Sequence, residues 1–453
     1  MILKNILPPP HARTVRHPSY TGVIPSNRGS VQHQLLLDYE FVTTQDGYVV
    51  RALIRLEGQA PAGGAPRTPL NLSLVLDRSG SMHGEKLAAA RDAAAFLVRR
   101  LAPEDRVTIV SYDHNVRTVA DEETPRAAFA RMIQEIEAGG STNLSGGWLR
   151  GRDLVAARKQ ERGMNRVLLL TDGLANHGIT DPQQLIGLCA AASREGFTTT
   201  TVGFGADYDE DLLRAMADAG GGNTYYIERP DQAPGVFEEE IEGLLSLAAQ
   251  NVAVEVRPSA AVQLMTVWHE YPSSAIAGGR RVEVGDIYAR EPKSLLLEFF
   301  VPALGETPDV DIASVRVEAH VLTAGGGVTR QVVELPIRSP LSRDGHREPT
   351  VQEELLLVRT AKAREESLRR RNAGDADGAS HVLRAMVSQL RSADSAGSPL
   401  VAEHAADLEA MASKIESSSF DAADAKYVAQ RANNTHRAKR QYEEKLQRKP
   451  RRD

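Results

Sequence analysis

The segment DRSGSM, residues 77–82, places three oxygen-bearing side chains, Asp77, Ser79 and Ser81, at alternate positions directly after the apolar run LNLSLVL. Two more oxygen donors stand in comparable places downstream. Thr142 lies in the glycine-rich stretch AGGSTNLSGG, and Asp172 in RVLLLTDG, directly after another apolar run. Two carboxylates and three hydroxyls are hard ligands. They suit Mg²⁺, Mn²⁺ or Ca²⁺ and suit zinc or copper poorly, since those favour nitrogen or sulfur. Such a set leaves a six-coordinate ion short, so water or an acidic group from outside the chain must complete the shell.

Each residue also has a plainer reading. Asp and Ser are favoured in turns and helix caps. DRSGSM could be only the turn and cap of a helix beginning near Gly84, Thr142 an N-cap, and Asp172 a turn residue before Gly173. Asp113, in SYDHN, ends a strand near the same edge and reads as a turn residue, with a supporting contact to the crevice as the alternative. His83, His114 and His177 lie in nearby loops, but their spacing matches no metal motif and they read as surface histidines.

The donors can meet only if the elements around them bring their loops together. From about residue 69 to 247 apolar strands alternate with helical segments. LNLSLVLD, RVTIVSYD, VRTVA, NRVLLLTD, FTTTTVGFG and NTYYIE read as strands. GEKLAAARDAAAFLVRRL reads as a helix with Leu87, Ala90, Ala94, Leu97 and Leu101 on one face. Such alternation implies a mainly parallel, doubly wound sheet covered on both faces. In such sheets ligands sit at the carboxyl edge where strand order reverses. If the strands ending at Asp77 and Asp172 flank that point, their carboxylates face one crevice.

Around this block the pattern is of strands alone. HQLLLDYEFVTT and YVVRALIRLEG form a hairpin about QDG, and residues 250–338 carry period-two strands such as ASVRVEAHVL. A hairpin is too small to be stable by itself. It is expected to join the later strands, making the α/β block an insertion in a discontinuous antiparallel β-sandwich. The expected domains are an extended arm over 1–30, the sandwich over 31–60 and 248–340, the α/β domain over 68–247, a helical region over 349–447, and a basic tail over 448–453. The helical region begins with a helical hairpin turned at NAGD.

Bulk properties narrow the function. A chain of 453 residues exceeds one core, and a net charge of −6 gives no nucleic-acid footprint. The single cysteine, Cys189, excludes an internal disulfide and lies in a helical apolar pattern, so a buried core thiol is expected. No run reaches the length of a membrane span and the N-terminus lacks a signal-peptide pattern, so a cytoplasmic protein is expected. The last residues, HRAKRQYEEKLQRKPRRD, read as a solvated basic tail, with docking to an acidic partner as the alternative.

DRSGSM, the Thr142 loop and TDG together resemble the metal-ion-dependent adhesion site of von Willebrand factor type A domains, with all five positions in order. The resemblance is tight over the α/β block. More loosely, the flanking regions resemble bacterial proteins called calcium-activated chloride channel homologues, although the chain has no channel-like span. It implies that Ser79, Ser81 and Thr142 bind a divalent cation directly or through water, Mg²⁺ first, while Asp77 and Asp172 supply charge. An Asp or Glu of a protein partner would fill the open position. The expected function is therefore a non-catalytic, metal-dependent protein-interaction module in a multiprotein complex, which could include an ATPase. Alternatives are a metal-dependent phosphatase or hydrolase, or a scaffold with a vestigial site. No P-loop, GxSxG or HExxH motif supports the enzyme reading.

Overall fold

The computed structural model describes residues 20–24, 31–59, 69–160, 163–205, 208–289, 291–303, 310–322, 328–393 and 397–437. The chain opens with β1 (Tyr20–Ile24), β2 (Val31–Val42) and β3 (Gly47–Gly58). The α/β block follows, with β4 (Leu70–Asp77), α1 (Glu85–Arg100), β5 (Arg106–Tyr112), β6 (Val116–Ala120), α2 (Arg126–Gln134), α3 (Leu144–Ala157) and β7 (Met164–Thr171). It continues through α4 (Pro182–Arg194), β8 (Phe197–Phe204), α5 (Glu210–Ala219), β9 (Gly221–Ile227) and α6 (Ala233–Leu245).

Seven further strands come next: β10 (Leu247–Pro258), β11 (Gln263–Val267), β12 (Ser273–Ile276), β13 (Gly279–Tyr288), β14 (Pro292–Pro302), β15 (Val310–Leu322) and β16 (Val328–Ser339). Four helices end the described chain: α7 (Pro349–Asn372), α8 (Ala376–Ser392), α9 (Pro399–Glu416) and α10 (Ala422–His436). The basic tail at 448–453 lies outside the described residues, as does the N-terminal arm apart from Tyr20–Ile24, which pair with β2 as a strand.

The central sheet has the order β6-β5-β4-β7-β8-β9, parallel except for the antiparallel edge strand β6. Alternation along β4 sorts its side chains to two cores. Leu70, Leu72, Leu74 and Leu76 pack under α1 and α6, whereas Val75 faces Leu144, Trp148 and Val155 of α3 on the other side. Gly147 lets α3 approach closely, since a Cβ there would come within 2.5 Å of the Tyr112 ring. Cys189 of α4 is fully buried in this second layer, and burial pushes its thiol up to about 12. It is a core residue.

Two antiparallel five-stranded sheets, β1-β2-β3-β14-β11 and β12-β13-β10-β15-β16, face one another over a shared apolar core. β3 runs against β14 over eleven residue pairs from Pro292↔Glu57 to Pro302↔Gly47. Strands before and after the α/β block thus belong to one sheet, and the block is inserted in the sandwich. The run Leu35–Leu36–Leu37 is buried on both faces because α7 covers the outside of this sheet, with Val351, Leu355 and Val358 on Leu36, Leu53 and Leu296. Helices α7 to α10 share a further core of their own. Among the described residues no helix is long and apolar enough to cross a membrane.

Candidate metal centre

β4 and β7 are parallel neighbours at the middle of the sheet, paired up to Leu76↔Leu170. Asp77 and Asp172 therefore leave the same carboxyl edge, where strand order reverses between the two. Both carboxylates are fully buried. Thr171 Oγ1 donates to Asp77 Oδ2 at 2.6 Å, tying the two strand ends together.

Of the turn-and-cap reading, the turns are present, with a bend at Asp172–Gly173, but the helix caps fall to other residues. After β4 the chain makes one 3₁₀ turn over Gly80–Met82, and α1 begins at Glu85 with Gly84 as its N-cap and no side-chain cap. Asp77 Oδ1 instead accepts the Ser79 N–H at 2.7 Å. Likewise α3 is capped by Asn143, whose side chain accepts the Gly146 N–H, and not by Thr142. The hydroxyls of Ser79, Ser81 and Thr142 are thereby spared from capping duty.

Three loops are laced into one body at this edge. The Gly80 N–H donates to Gly140 O and the Gly139 N–H to Arg78 O, at 3.0 and 2.8 Å. The Thr142 N–H donates to Asn176 Oδ1, and Asn176 N–H returns a bond to Thr142 O. Asp113 is the turn residue its place suggests, and it also anchors Arg78 of the first loop. Its carboxylate is buried and held by Arg78 at 2.8 Å and by the Asn115 N–H at 2.6 Å. His83, His114 and His177 are exposed, as a surface reading requires.

The donors converge above the two aspartates. Ser79 Oγ and Ser81 Oγ lie 3.2 Å apart, and Ser81 Oγ donates to Asp172 Oδ1 at 2.6 Å. Thr142 Oγ1 and Ser81 Oγ both face the bare Cα of Gly173, where a Cβ would sit 3.2 and 3.5 Å from them. A glycine keeps that cradle open. Ser81 is exposed at its mouth, and Leu174 is exposed beside it, an apolar side chain at the rim.

Sequence reasoning missed Lys86, in the first turn of α1, whose Nζ reaches Asp172 Oδ2 at 2.6 Å. Nothing in its spacing separates it from a solvated helix lysine. It also missed the Thr171 hydroxyl. With two buried carboxylates and one lysine the crevice keeps an excess of negative charge. Burial, with the Asp172 charge adding to it, raises the Asp77 carboxyl to about 6 against the bonds from Thr171 and Ser79. Oxygen donors alone, two of them buried carboxylates, around a cradle that a Cβ would fill, fit a hard divalent ion.

The sequence profile of the von Willebrand factor type A domain matches residues 71–239. The uncharacterized protein sll0103 of Synechocystis is 30% identical over 331 residues, which span 70% of this chain and 77% of that protein. The chain belongs to the von Willebrand factor type A family. Its fold is shared with a von Willebrand factor type A protein of Catenulispora acidiphila, at a TM-score of 0.65 and 20% identity over 81% of this chain and 88% of the other. The ArnB paralog VWA2 of Sulfolobus acidocaldarius matches with a TM-score of 0.55 and 16% identity, covering 90% of this chain and 98% of its own. Von Willebrand factor type A domains are commonly metal-dependent protein-interaction modules.

Proposed function

We propose that Asp77, Ser79, Ser81, Thr142 and Asp172 hold a divalent cation, Mg²⁺ first with Mn²⁺ or Ca²⁺ as alternatives, and that an Asp or Glu of a protein partner completes its shell. The module would act within a cytoplasmic multiprotein complex, which could include an ATPase. One observation carries the reading. Hydroxyls and carboxylates from three laced loops meet around the open cradle at Gly173, while other residues cap the neighbouring helices. The lone, buried Cys189 suits a reducing compartment. When bound, the ion would supply a Lewis-acidic position for a carboxylate. The exposed Leu174 at the rim would add apolar contact around it.

We read the site as non-catalytic. A hydrolase needs a base or nucleophile, and the further carboxylate at this edge, Asp113, is held by Arg78 and Asn115. Phosphate release from phosphorylated substrates with Mg²⁺ present would overturn that part.

The test is capture of a partner with and without EDTA, then with Asp77→Ala and with its acidic residue mutated. Breaking a desolvated charge contact costs about 2–5 kcal/mol, roughly thirty- to several-thousand-fold in affinity. Each change is expected to weaken binding on that scale, and the losses are not expected to add because all remove one contact. Binding at full strength after chelation would contradict the proposal.

A further inference from the structure

Far from the sheet edge, three groups from separate parts of the chain meet. Glu270 follows β11 in the sandwich, Glu365 lies on α7, and His436 is the last residue of α10. One ligand atom from each lies within 4.8 Å of the other two. We propose that Glu270, Glu365 and His436 form a second cation site, suited to Zn²⁺, that clasps the C-terminal helices onto the β-sandwich.

His436 is the decisive residue. Its side chain is buried, and among the described residues neither ring nitrogen makes a hydrogen bond, Nε2 meeting carboxylates only at ion-pair range. Leaving such a group unsatisfied costs about 1–3 kcal/mol, so a buried imidazole in this state calls for a ligand. Its Nε2 faces Glu365 Oε2 at 3.4 Å and Glu270 Oε1 at 3.8 Å. Ligand atoms arranged tetrahedrally about 2.0–2.1 Å from zinc stand roughly 3.4 Å apart, so small side-chain shifts bring these three to coordination distance. One nitrogen and two carboxylate oxygens suit zinc better than Mg²⁺, the reverse of the oxygen-only set at the sheet edge. Glu270 is exposed and Glu365 half-buried, which leaves an entry path and room for water as a fourth ligand.

The surroundings fix the donors in advance. Tyr271, next to Glu270, donates its hydroxyl to Arg437 O at 3.1 Å, and Arg437 pairs with Asp218 of α5 at 2.5 Å. An ion here would join sandwich, α7 and α10, and so stabilise the folded chain in proportion to zinc occupancy.

The test uses the full chain carrying Asp77→Ala and Asp172→Ala, which silences the sheet-edge site. Equilibrium dialysis with Zn²⁺ is expected to give one ion per chain and thermal melts a zinc-dependent rise in Tm. Glu270→Gln, an exposed change that leaves the core intact, is expected to weaken zinc binding by more than about tenfold and abolish the rise. His436→Gln is expected to do the same. Absence of bound zinc, or equal binding by the Glu270→Gln chain, would overturn the proposal.

Discussion

The two ends of β7 carry two buried charge clusters built on different plans. Near its start, Arg166 donates to Asp286 of β13 at 2.6 Å and to Thr200 and Glu240 at 3.1 and 3.3 Å. Thr200, Asn223 and Tyr225 also donate to Glu240, and the Asn251 N–H to Asp286. These donors sit mostly on strands, and the cluster ties the α/β block to the sandwich. Just past the other end, Asp172 is met among the described residues by the exposed Ser81 and the half-exposed Lys86. Its surroundings are loops. A buried carboxylate closed in by strand-borne donors serves the fold, and one met by solvent-exposed donors at an open cradle is placed to take a ligand.

The largest test of this contrast is stability. Arg166→Ala leaves Glu240 and Asp286 buried without their cation and is expected to cost about 3–5 kcal/mol in urea unfolding. Asp172→Ala removes a buried charge and leaves a lysine that can turn to water, so it is expected to cost less than Arg166→Ala. Equal losses from the two would erase the distinction.

Next in size is the effect of pH on Asp77. Its folded carboxyl titrates near 6 and an ordinary one near 3.9, so between those values the folded chain binds the proton more tightly than the unfolded one. Stability in EDTA is therefore expected to fall as pH rises from about 4 to about 6, by up to roughly 3 kcal/mol, and to level off above. Asp77→Asn should remove the dependence, making the metal-free chain more stable than the wild type at pH 7. A flat profile for the wild type would show that Asp77 is not strained by burial.

The contrast also explains what was legible in the sequence. The alternation of apolar strands and helices, and the position of Asp77 and Asp172 directly after two of them, follow from local patterns. The pairing of β3 with β14 was readable because an isolated hairpin cannot bury a face. Lys86 and the Arg166 cluster were not readable. The partners of Arg166 lie 74 and 120 residues away, and no local periodicity encodes such contacts. The short strand β12, Ser273–Ile276, is mostly exposed and so lacks the apolar alternation that marks a strand. The caps show a subtler failure. Residue type alone suggested Thr142, whereas the adjacent Asn143 has the geometry.

Smaller effects sharpen the account of the open end. Lys86→Met frees Asp172 from its ammonium and is expected to tighten Mg²⁺ binding by up to about fivefold, the upper end for a partly exposed ion pair. Weaker binding by this variant would make Lys86 a support of the site and not a competitor for Asp172. Ser79→Ala removes a neutral donor and is expected to weaken Mg²⁺ less than either Asp77→Ala or Asp172→Ala, with titration calorimetry giving the order.

The most direct measurement is a calorimetric titration of Mg²⁺ into the full-length wild type and the Asp172→Ala chain at neutral pH, with both shown to be folded by circular dichroism. Saturable binding is expected for the wild type and none for the variant. Unchanged affinity in the folded Asp172→Ala chain would place the ion elsewhere and contradict the assignment of the open end of β7 as the metal centre.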